Sequence, residues 1–111
     1  METRKKALIT GGSDGIGLAI ATAFTANGYD VFITGRSAAK LAAAATLLGT
    51  GGGRVITWAG DLGATGAAAT LANAVKNEWA QLDVLVNNAG MGKFIPFTET
   101  TEAALDEHLN L

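Results

Sequence analysis

The sequence predicts an α/β fold in which a parallel sheet carries helices on both faces. Four short runs are apolar at nearly every position rather than at alternate ones, which is typical of strands covered on both faces. These runs are 7–10, 31–34, 55–58 and 84–87. The segments of helical composition between them are 15–27, 38–48 and 67–79. The resulting order βαβαβαβ requires parallel pairing through right-handed crossovers.

Length and composition limit the organisation and the function of the chain. With 111 residues, of which 49% are hydrophobic, we expect one compact domain over 1–111. The chain has no cysteine and one histidine, which argues against a disulfide framework and a zinc site. A net charge of -2 gives no electrostatic footprint for nucleic acid. No stretch approaches the roughly 18 apolar residues of a membrane span, so we expect a soluble, cytoplasmic protein.

The helix boundaries can be predicted from local signals. In the first helix an apolar stripe at helical spacing should face the core, and Gly28 follows where a left-handed residue commonly ends a helix. The stripe consists of Ile16, Ile20, Ala23, Phe24 and Asn27. Ser37 is a good N-cap for the second helix.

The chain beyond the fourth strand predicts an incomplete structure. We expect a loop over 90–96 and a fourth helix that begins near 101 and is cut off at 111. The apolar strand 84–87 would then be an uncovered edge, which folded proteins normally avoid. We therefore expect the chain to self-associate as a homo-oligomer or to dock onto a complementing half.

A glycine-rich segment lies where the first strand meets the first helix, and it has the sequence Thr-Gly-Gly-Ser-Asp-Gly-Ile-Gly over 10–17. Gly11 permits a tight turn, Gly15 allows the backbone to approach a diphosphate, and Gly17 allows helix and strand to touch. The free N–H groups of the helix start favour an anion there. The alternative is a glycine-rich turn without a ligand. The segment is not a Walker loop, because no Gly-Lys-Ser/Thr follows.

Two further motifs follow in order: Asp61-Leu62 after the third strand and Asn87-Asn88-Ala89-Gly90 after the fourth. With these three motifs the chain resembles the short-chain dehydrogenase/reductase family, over its whole length but only for the N-terminal half of the family's fold. The resemblance implies a Rossmann-type doubly wound parallel sheet of spatial order 3-2-1-4, truncated before its second half. It also implies an oxidoreductase that uses NAD or NADP.

The resemblance also implies roles for individual residues. Asp61 would accept a hydrogen bond from the adenine amino group, with Leu62 packed nearby. The alternative for Asp61 is an N-cap of the following segment. Asn87 would bridge neighbouring strands. The diphosphate would be held by Gly11, Gly15, Ile16 and Gly17, with a hydroxyl contact from Ser13. The residues along the ribose and the edge of the cofactor would be Asn88, Ala89 and Gly90.

The residues after the second strand favour NADP(H) over NAD. An NAD site would place an acid about 20 residues beyond the glycines, whereas this chain has Arg36-Ser37. The Arg36 guanidinium offers a planar fork to the 2'-phosphate. Arg36 and the adjacent Ser37 are therefore assigned to the cofactor site. The alternative is a solvated arginine. Asp14 opposes the preference, since many NADP-using relatives carry a basic residue there.

The catalytic pair of the family is absent from the sequence. Members use a Tyr, a Lys four residues later and an upstream Ser, but the only tyrosine here is Tyr29, without a lysine four positions on. Asn110 matches a family asparagine that supports a proton relay, and the alternative is an ordinary helical residue. His108 is expected to be a helical residue without a catalytic role.

These observations predict the cofactor-binding half of an NADP(H)-dependent enzyme that interconverts carbonyl and alcohol groups of a small molecule by hydride transfer. The isolated chain should be inactive. The alternative is a truncated, non-catalytic protein that binds a nucleotide or a partner.

Overall fold

The computed structural model describes residues 4–13, 15–51 and 53–88, together with the backbone of 93–96. The strands are β1 (Lys6–Thr10), β2 (Asp30–Gly35), β3 (Val55–Ala59), β4 (Val84–Asn87) and β5 (Lys93–Pro96). The helices are α1 (Gly15–Ala26), α2 (Ala38–Leu48) and α3 (Ala67–Glu78), and a 3₁₀ turn covers Gly49–Gly51. The spatial order is β3-β2-β1-β4-β5. The first four strands are parallel, which confirms the predicted order 3-2-1-4.

The core consists of two layers, one on each face of the sheet. Alternate residues of the central strands point to opposite faces, so Ile9 and Ile33 belong to one layer while Leu8 and Phe32 belong to the other. On the first face α1 and α2 contribute Ala21, Leu41, Ala44 and Leu48. On the second face α3 and the chain that follows it contribute Leu71, Ala72, Val75, Trp79 and Leu82. The sheet is therefore doubly wound, as predicted.

The outer strand β3 is less covered than the other three predicted strands. Thr57 is exposed, and Val55 and Trp58 are only half-buried, whereas β1, β2 and β4 are almost wholly buried. The prediction that both faces of this strand are covered was therefore wrong for β3. β3 is the outermost strand on its side of the sheet, so it has a neighbouring strand on one side only and its other side faces water.

The buried face of α1 agrees with the predicted stripe only in part. Ile20 and Phe24 pack against the core as predicted, but they are only half-buried. The fully buried residues are Gly17, Ala21 and Thr25, while Ile16 is 73% exposed. A Cβ on Gly17 would lie 1.9 Å from the Gly11 carbonyl oxygen, so the helix approaches the sheet through its smallest side chains. Close approach through small residues rotates the contact face by about one residue, which the apolar spacing alone does not reveal.

The predicted helix boundaries after α1 and before α2 are confirmed. Gly28 has φ 84°, the left-handed conformation expected beyond a helix end. The Ser37 side chain accepts a hydrogen bond from the Lys40 N–H at 3.2 Å and so caps α2.

The edge of β4 is covered, which the sequence did not predict. β5 pairs with β4 in antiparallel orientation, with Leu85 opposite Ile95 and Val86 opposite Phe94. A segment that is close in sequence can double back as an antiparallel neighbour without a long crossover. The prediction of an uncovered edge and of a loop throughout 90–96 was therefore wrong. The predicted fourth helix over 101–111 lies outside the described residues.

The described part of the chain has neither a membrane-spanning helix nor a cluster of metal-ligating side chains. No helix there is long and apolar enough to cross a membrane. In the same residues no group of three or more histidine, cysteine, aspartate or glutamate side chains could hold a metal ion.

Candidate functional site

A cavity of about 460 Å³ opens at the carboxyl ends of β1, β2 and β3. In open α/β sheets this edge is where ligands bind, because the loops that leave the strands diverge there. The side chains in the lining are those of Ser13, Thr34, Arg36, Ser37, Lys40, Asp61 and Leu62, and the glycines are Gly11, Gly35, Gly60 and Gly63. The cavity is rich in glycine and polar groups.

The glycine corner between β1 and α1 is built for close backbone approach. Gly11 and Gly15 have φ of 68° and 57°, in the left-handed region that side chains disfavour. Gly17 has no room for a methyl group, since its Cβ would meet the Gly11 carbonyl group. At Gly15 a Cβ would meet nothing within 4 Å, so the backbone there has an open side. The positive φ of Gly11 and the crowding at Gly17 agree with the tight turn and the close approach predicted for them, while the approach of a diphosphate at Gly15 stays a prediction.

Two N–H groups of the glycine corner are bonded to β2. The Gly11 N–H donates to Thr34 Oγ1 at 3.3 Å, and the Gly12 N–H donates to the Thr34 carbonyl oxygen at 2.9 Å. The first N–H groups of a helix have no carbonyl four residues back to bond. The amides at the start of α1 are therefore the donors of this corner that can face an anion.

Arg36 and Asp61 face each other across the mouth of the cavity. The distance from Arg36 Nη2 to Asp61 Oδ1 is 3.6 Å, and the two side chains are 84% and 54% exposed. An ion pair this exposed contributes little stability, so a ligand can separate it at small cost.

Asp61 also organises the turn after β3. Its Oδ1 accepts from the Gly63 N–H at 2.9 Å, and its carbonyl oxygen accepts from the Ala64 N–H at 3.0 Å. The N-cap of α3 is Gly66. Asp61 is therefore not the N-cap of α3, which was the alternative for this residue. It stabilises a local turn before that helix instead.

Lys40 is a lining residue that is not among the predicted site residues. It lies in the first turn of α2, where the helix dipole disfavours a positive charge. Together with Arg36 it gives the lining two cations against the single carboxylate of Asp61. The sequence contains a signal for this residue. Lys40 follows the capping Ser37 by three residues, about one helical turn, so the two side chains are expected on the same side of α2, near Arg36.

The two asparagines at the end of β4, Asn87 in the strand and Asn88 directly after it, contact β1 and the glycine corner. The buried Thr10 hydroxyl donates to Asn87 Oδ1 at 3.2 Å, so Asn87 connects the ends of β1 and β4. Asn88 Nδ2 donates to the Gly11 carbonyl oxygen at 3.3 Å. This contact ties Asn88 to the corner itself, and its role along a ribose stays a prediction.

The structure brings together many, but not all, of the predicted cofactor residues. The cavity is lined by Gly11, Ser13, Arg36, Ser37, Asp61 and Leu62. The predicted residues outside its lining are Gly15, Ile16, Gly17 and Asn88, which belong to the start of α1 and the end of β4. The cavity therefore corresponds to the side of the crevice nearer β3. Ala89, Gly90 and Asn110 lie outside the described residues.

The chain belongs to the short chain dehydrogenase family, whose family model matches residues 5–111. It is 40% identical over 107 residues to the oxidoreductase asL5 of Sarocladium schorii, an alignment that covers 94% of this chain and 41% of that relative. The chain thus spans well under half the length of that curated relative.

Two solved structures show the same fold with different cofactors. L-sorbose reductase of Gluconobacter frateurii, solved with NADPH and L-sorbose, has a TM-score of 0.75 at 37% identity. A 3-oxoacyl-[acyl-carrier protein] reductase of Brucella melitensis, solved with NAD, has a TM-score of 0.73 at 41% identity. Each match covers 82% of this chain and 35% of the other. Similar proteins therefore bind either nicotinamide dinucleotide.

Proposed function

We propose that the chain binds NADP(H) in the crevice at the carboxyl ends of β1 to β4. The observation that carries this proposal is the pair of cations, Arg36 and Lys40, in the lining where an NAD site would place an acid. A 2'-phosphate there would meet a guanidinium, an ammonium and the Ser37 hydroxyl. Charge-assisted hydrogen bonds of this kind are stronger than those to the uncharged 2'-hydroxyl of NAD.

The rest of the site fits a dinucleotide. The diphosphate would lie against Gly15, Ile16 and Gly17, where the backbone is open at Gly15 and the first amides of α1 are donors. Ser13 packs over Gly35, where a Cβ would lie 2.9 Å from Ser13 Oγ, so its hydroxyl is close to the adenosine side. Gly11 would shape the turn.

The adenine ring would lie on the β3 side of the cavity. Asp61 would accept from the adenine amino group once it separates from Arg36, and the half-buried Leu62 would pack against the ring. We assign the ribose and the cofactor edge to Asn88, Ala89 and Gly90, as the family motif implies. Asp14 remains the one acidic residue of the glycine segment that would weaken a preference for NADP.

In the whole protein we propose reversible hydride transfer between NADP(H) and a carbonyl or alcohol carbon of a small molecule. The nicotinamide group, when bound, supplies the hydride chemistry, while the protein binds and orients it. Asn110 would support a proton relay. The sequence of 111 residues has no Tyr-x-x-x-Lys pair, and Tyr29 packs edge-on against Phe24 at 4.7 Å between ring centroids. We therefore propose that this chain by itself binds the nucleotide without turnover.

The missing acid/base pair also favours a second candidate, a protein that binds a nucleotide or a partner and catalyses nothing. The two candidates share the site and differ in whether a complementing half restores hydride transfer. The single domain, the cytoplasmic location and the homo-oligomer or complementing half stay predictions from the sequence.

Calorimetric titration of the chain with NADP⁺ and with NAD⁺ tests the proposal. We expect NADP⁺ to bind at least about tenfold more tightly, which corresponds to about 1.4 kcal/mol. Equal affinity would refute the NADP preference but leave nucleotide binding intact. If neither nucleotide gives binding heat at several temperatures, the enzyme proposal and the non-catalytic nucleotide-binding proposal are both refuted.

A further inference from the structure

Thr34 is a buried polar residue at the end of β2 that belongs to none of the sequence motifs. It is 2% exposed and lines the cavity between the glycine corner and Arg36. Its hydroxyl oxygen accepts from the Gly11 N–H, and its carbonyl oxygen accepts from the Gly12 N–H. One residue therefore bonds two consecutive amides of the corner.

Gly11 is held from the opposite side as well. The Asn88 side chain donates to the Gly11 carbonyl oxygen at 3.3 Å. The N–H and the C=O of this glycine are thus fixed by side chains at the ends of β2 and β4, the two strands that flank β1. Glycine loses more conformational freedom on folding than other residues, so contacts from outside the turn are needed to keep it in one conformation.

The hydroxyl of Thr34 has a specific use at this position. Valine has the same shape and a similar preference for strands, so packing alone does not call for a hydroxyl. A buried hydroxyl costs free energy unless it is hydrogen-bonded. Here the Thr34 hydroxyl accepts from the Gly11 N–H, a hydrogen bond that a valine side chain could not make. The contact therefore explains why a polar residue stands here.

We infer that Thr34 is a positioning residue for the diphosphate corner. It acts through Gly11 and Gly12, whose amides it holds toward β2 so that the turn presents the start of α1 to the ligand. This inference rests on the proposed nucleotide binding. Because NAD and NADP share the diphosphate, loss of the Thr34 hydroxyl lowers the affinity for both nucleotides equally. A change at Arg36 should lower the affinity for NADP alone.

The test compares Thr34→Val and Thr34→Ser with the unchanged chain, by titration with NADP⁺ and NAD⁺. Loss of one hydrogen bond predicts about a threefold to tenfold lower affinity of the valine variant for both nucleotides. The serine variant keeps the hydroxyl, and its affinities should stay within about twofold. Thr25→Val is the matched control, since Thr25 is also buried but its hydroxyl bonds the Thr22 carbonyl oxygen within α1.

Amide hydrogen exchange gives a second readout that needs no ligand. The Gly11 N–H should exchange faster in Thr34→Val, with protection restored in Thr34→Ser and unchanged in Thr25→Val. Unchanged Gly11 exchange, or unchanged affinities in a folded Thr34→Val variant, would overturn the inference. So would a loss confined to NADP⁺, because it would place Thr34 at the adenosine phosphate. An unchanged chain that binds neither nucleotide would instead refute the proposed function, and this inference with it.

Discussion

The Arg36 guanidinium lies 3.6 Å from the Asp61 carboxylate, and this contact joins the chain after β2 to the chain after β3 at the cavity mouth. In the proposed complex the two groups have different partners, the 2'-phosphate for Arg36 and the adenine amino group for Asp61. The ion pair therefore competes with the ligand at both ends. Exposed pairs contribute only about 0.2–1 kcal/mol, so the competition is weak.

Replacing Asp61 should affect the two nucleotides differently. Asp61→Ala removes an acceptor for the adenine amino group, which should lower NAD⁺ affinity by about 1 kcal/mol. The loss for NADP⁺ should be smaller, because the variant also lacks the carboxylate that repels the nearby 2'-phosphate, a group that NAD⁺ does not have. Titration with both nucleotides measures the difference. Equal losses would show that the Asp61 charge does not act on the 2'-phosphate.

The helix position of Lys40 predicts opposite effects on stability and binding. Lys40→Glu places a negative charge in the first turn of α2, where the helix dipole should stabilise the fold by about 0.3–1 kcal/mol. The same change should weaken NADP⁺ binding, because a carboxylate would face the 2'-phosphate. Urea unfolding and titration measure the two effects.

Lys76→Glu is the matched control for this charge reversal. Lys76 lies in the last turn of α3, where the dipole favours a cation, so its replacement should lower stability and leave NADP⁺ affinity unchanged. Equal NADP⁺ affinities in the Lys40 variant and the unchanged chain would remove Lys40 from the site.

The contact between Gly17 and Gly11 predicts that α1 cannot tolerate a methyl group there. Gly17→Ala places a Cβ 1.9 Å from a backbone oxygen, so the helix or the turn must move, at a cost of about 1–3 kcal/mol. Gly49→Ala is the control, because φ is -60° and nothing lies within 4 Å of its Cβ position. Thermal unfolding should show a lower midpoint for the first variant only. A similar midpoint in both variants would contradict the close approach described for α1.

Asp30 predicts how stability depends on pH. Burial by itself raises the pKa of this carboxyl, but the Lys6 side chain, the Arg54 N–H and the charges of Lys6 and Arg4 outweigh it. The pKa therefore lies below its ordinary value of 3.8. A lowered folded-state pKa stabilises the fold above the unfolded-state pKa, and this contribution is lost as the pH falls through the folded-state value.

Asp30→Asn should remove that contribution. The variant should be less stable at pH 7 by about 1.5–3 kcal/mol, and its stability should change less below pH 4 than that of the unchanged chain. Glu78→Gln is the control, because the pair of Glu78 with Arg54 is exposed and contributes little. Urea unfolding at several pH values measures both. Parallel pH profiles for Asp30→Asn and the unchanged chain would exclude a role for this carboxylate.

The central sheet could be predicted because its signal is local. Runs such as Ala7-Leu8-Ile9 are apolar at every position, and this pattern identifies strands buried on both faces without knowledge of their neighbours. The pairing of β5 with β4 was missed, because the segment 90–96, bounded by glycine and proline, has the composition of a loop and is a strand only through its pairing with β4. The face of α1 was predicted only in part, since the small residues Gly17 and Ala21 rank low in hydrophobicity although they are fully buried.

The site could be predicted where its residues form motifs and not where they depend on neighbouring strands. Gly11, Arg36 and Asp61 follow strand ends at characteristic spacings, so the sequence indicates them directly. Thr34 reads as an ordinary strand residue, and its contact with Gly11 exists only because β1 and β2 are parallel neighbours in register. Lys40 is indicated by its spacing from Ser37 and Arg36, but its place in the lining depends on where α2 packs beside the cavity.

Recognition of the 2'-phosphate by Arg36 is tested most directly by titrating Arg36→Gln and Arg54→Gln with NADP⁺ and NAD⁺. Arg54 is a similarly exposed arginine outside the cavity lining, which makes it the matched control. We expect Arg36→Gln to lose about 1.5–3 kcal/mol of NADP⁺ binding, and to keep its NAD⁺ affinity or gain at most about 1 kcal/mol from the release of Asp61. Arg54→Gln should match the unchanged chain. An Arg36→Gln variant with an unaltered ratio of NADP⁺ to NAD⁺ affinity would contradict the assignment.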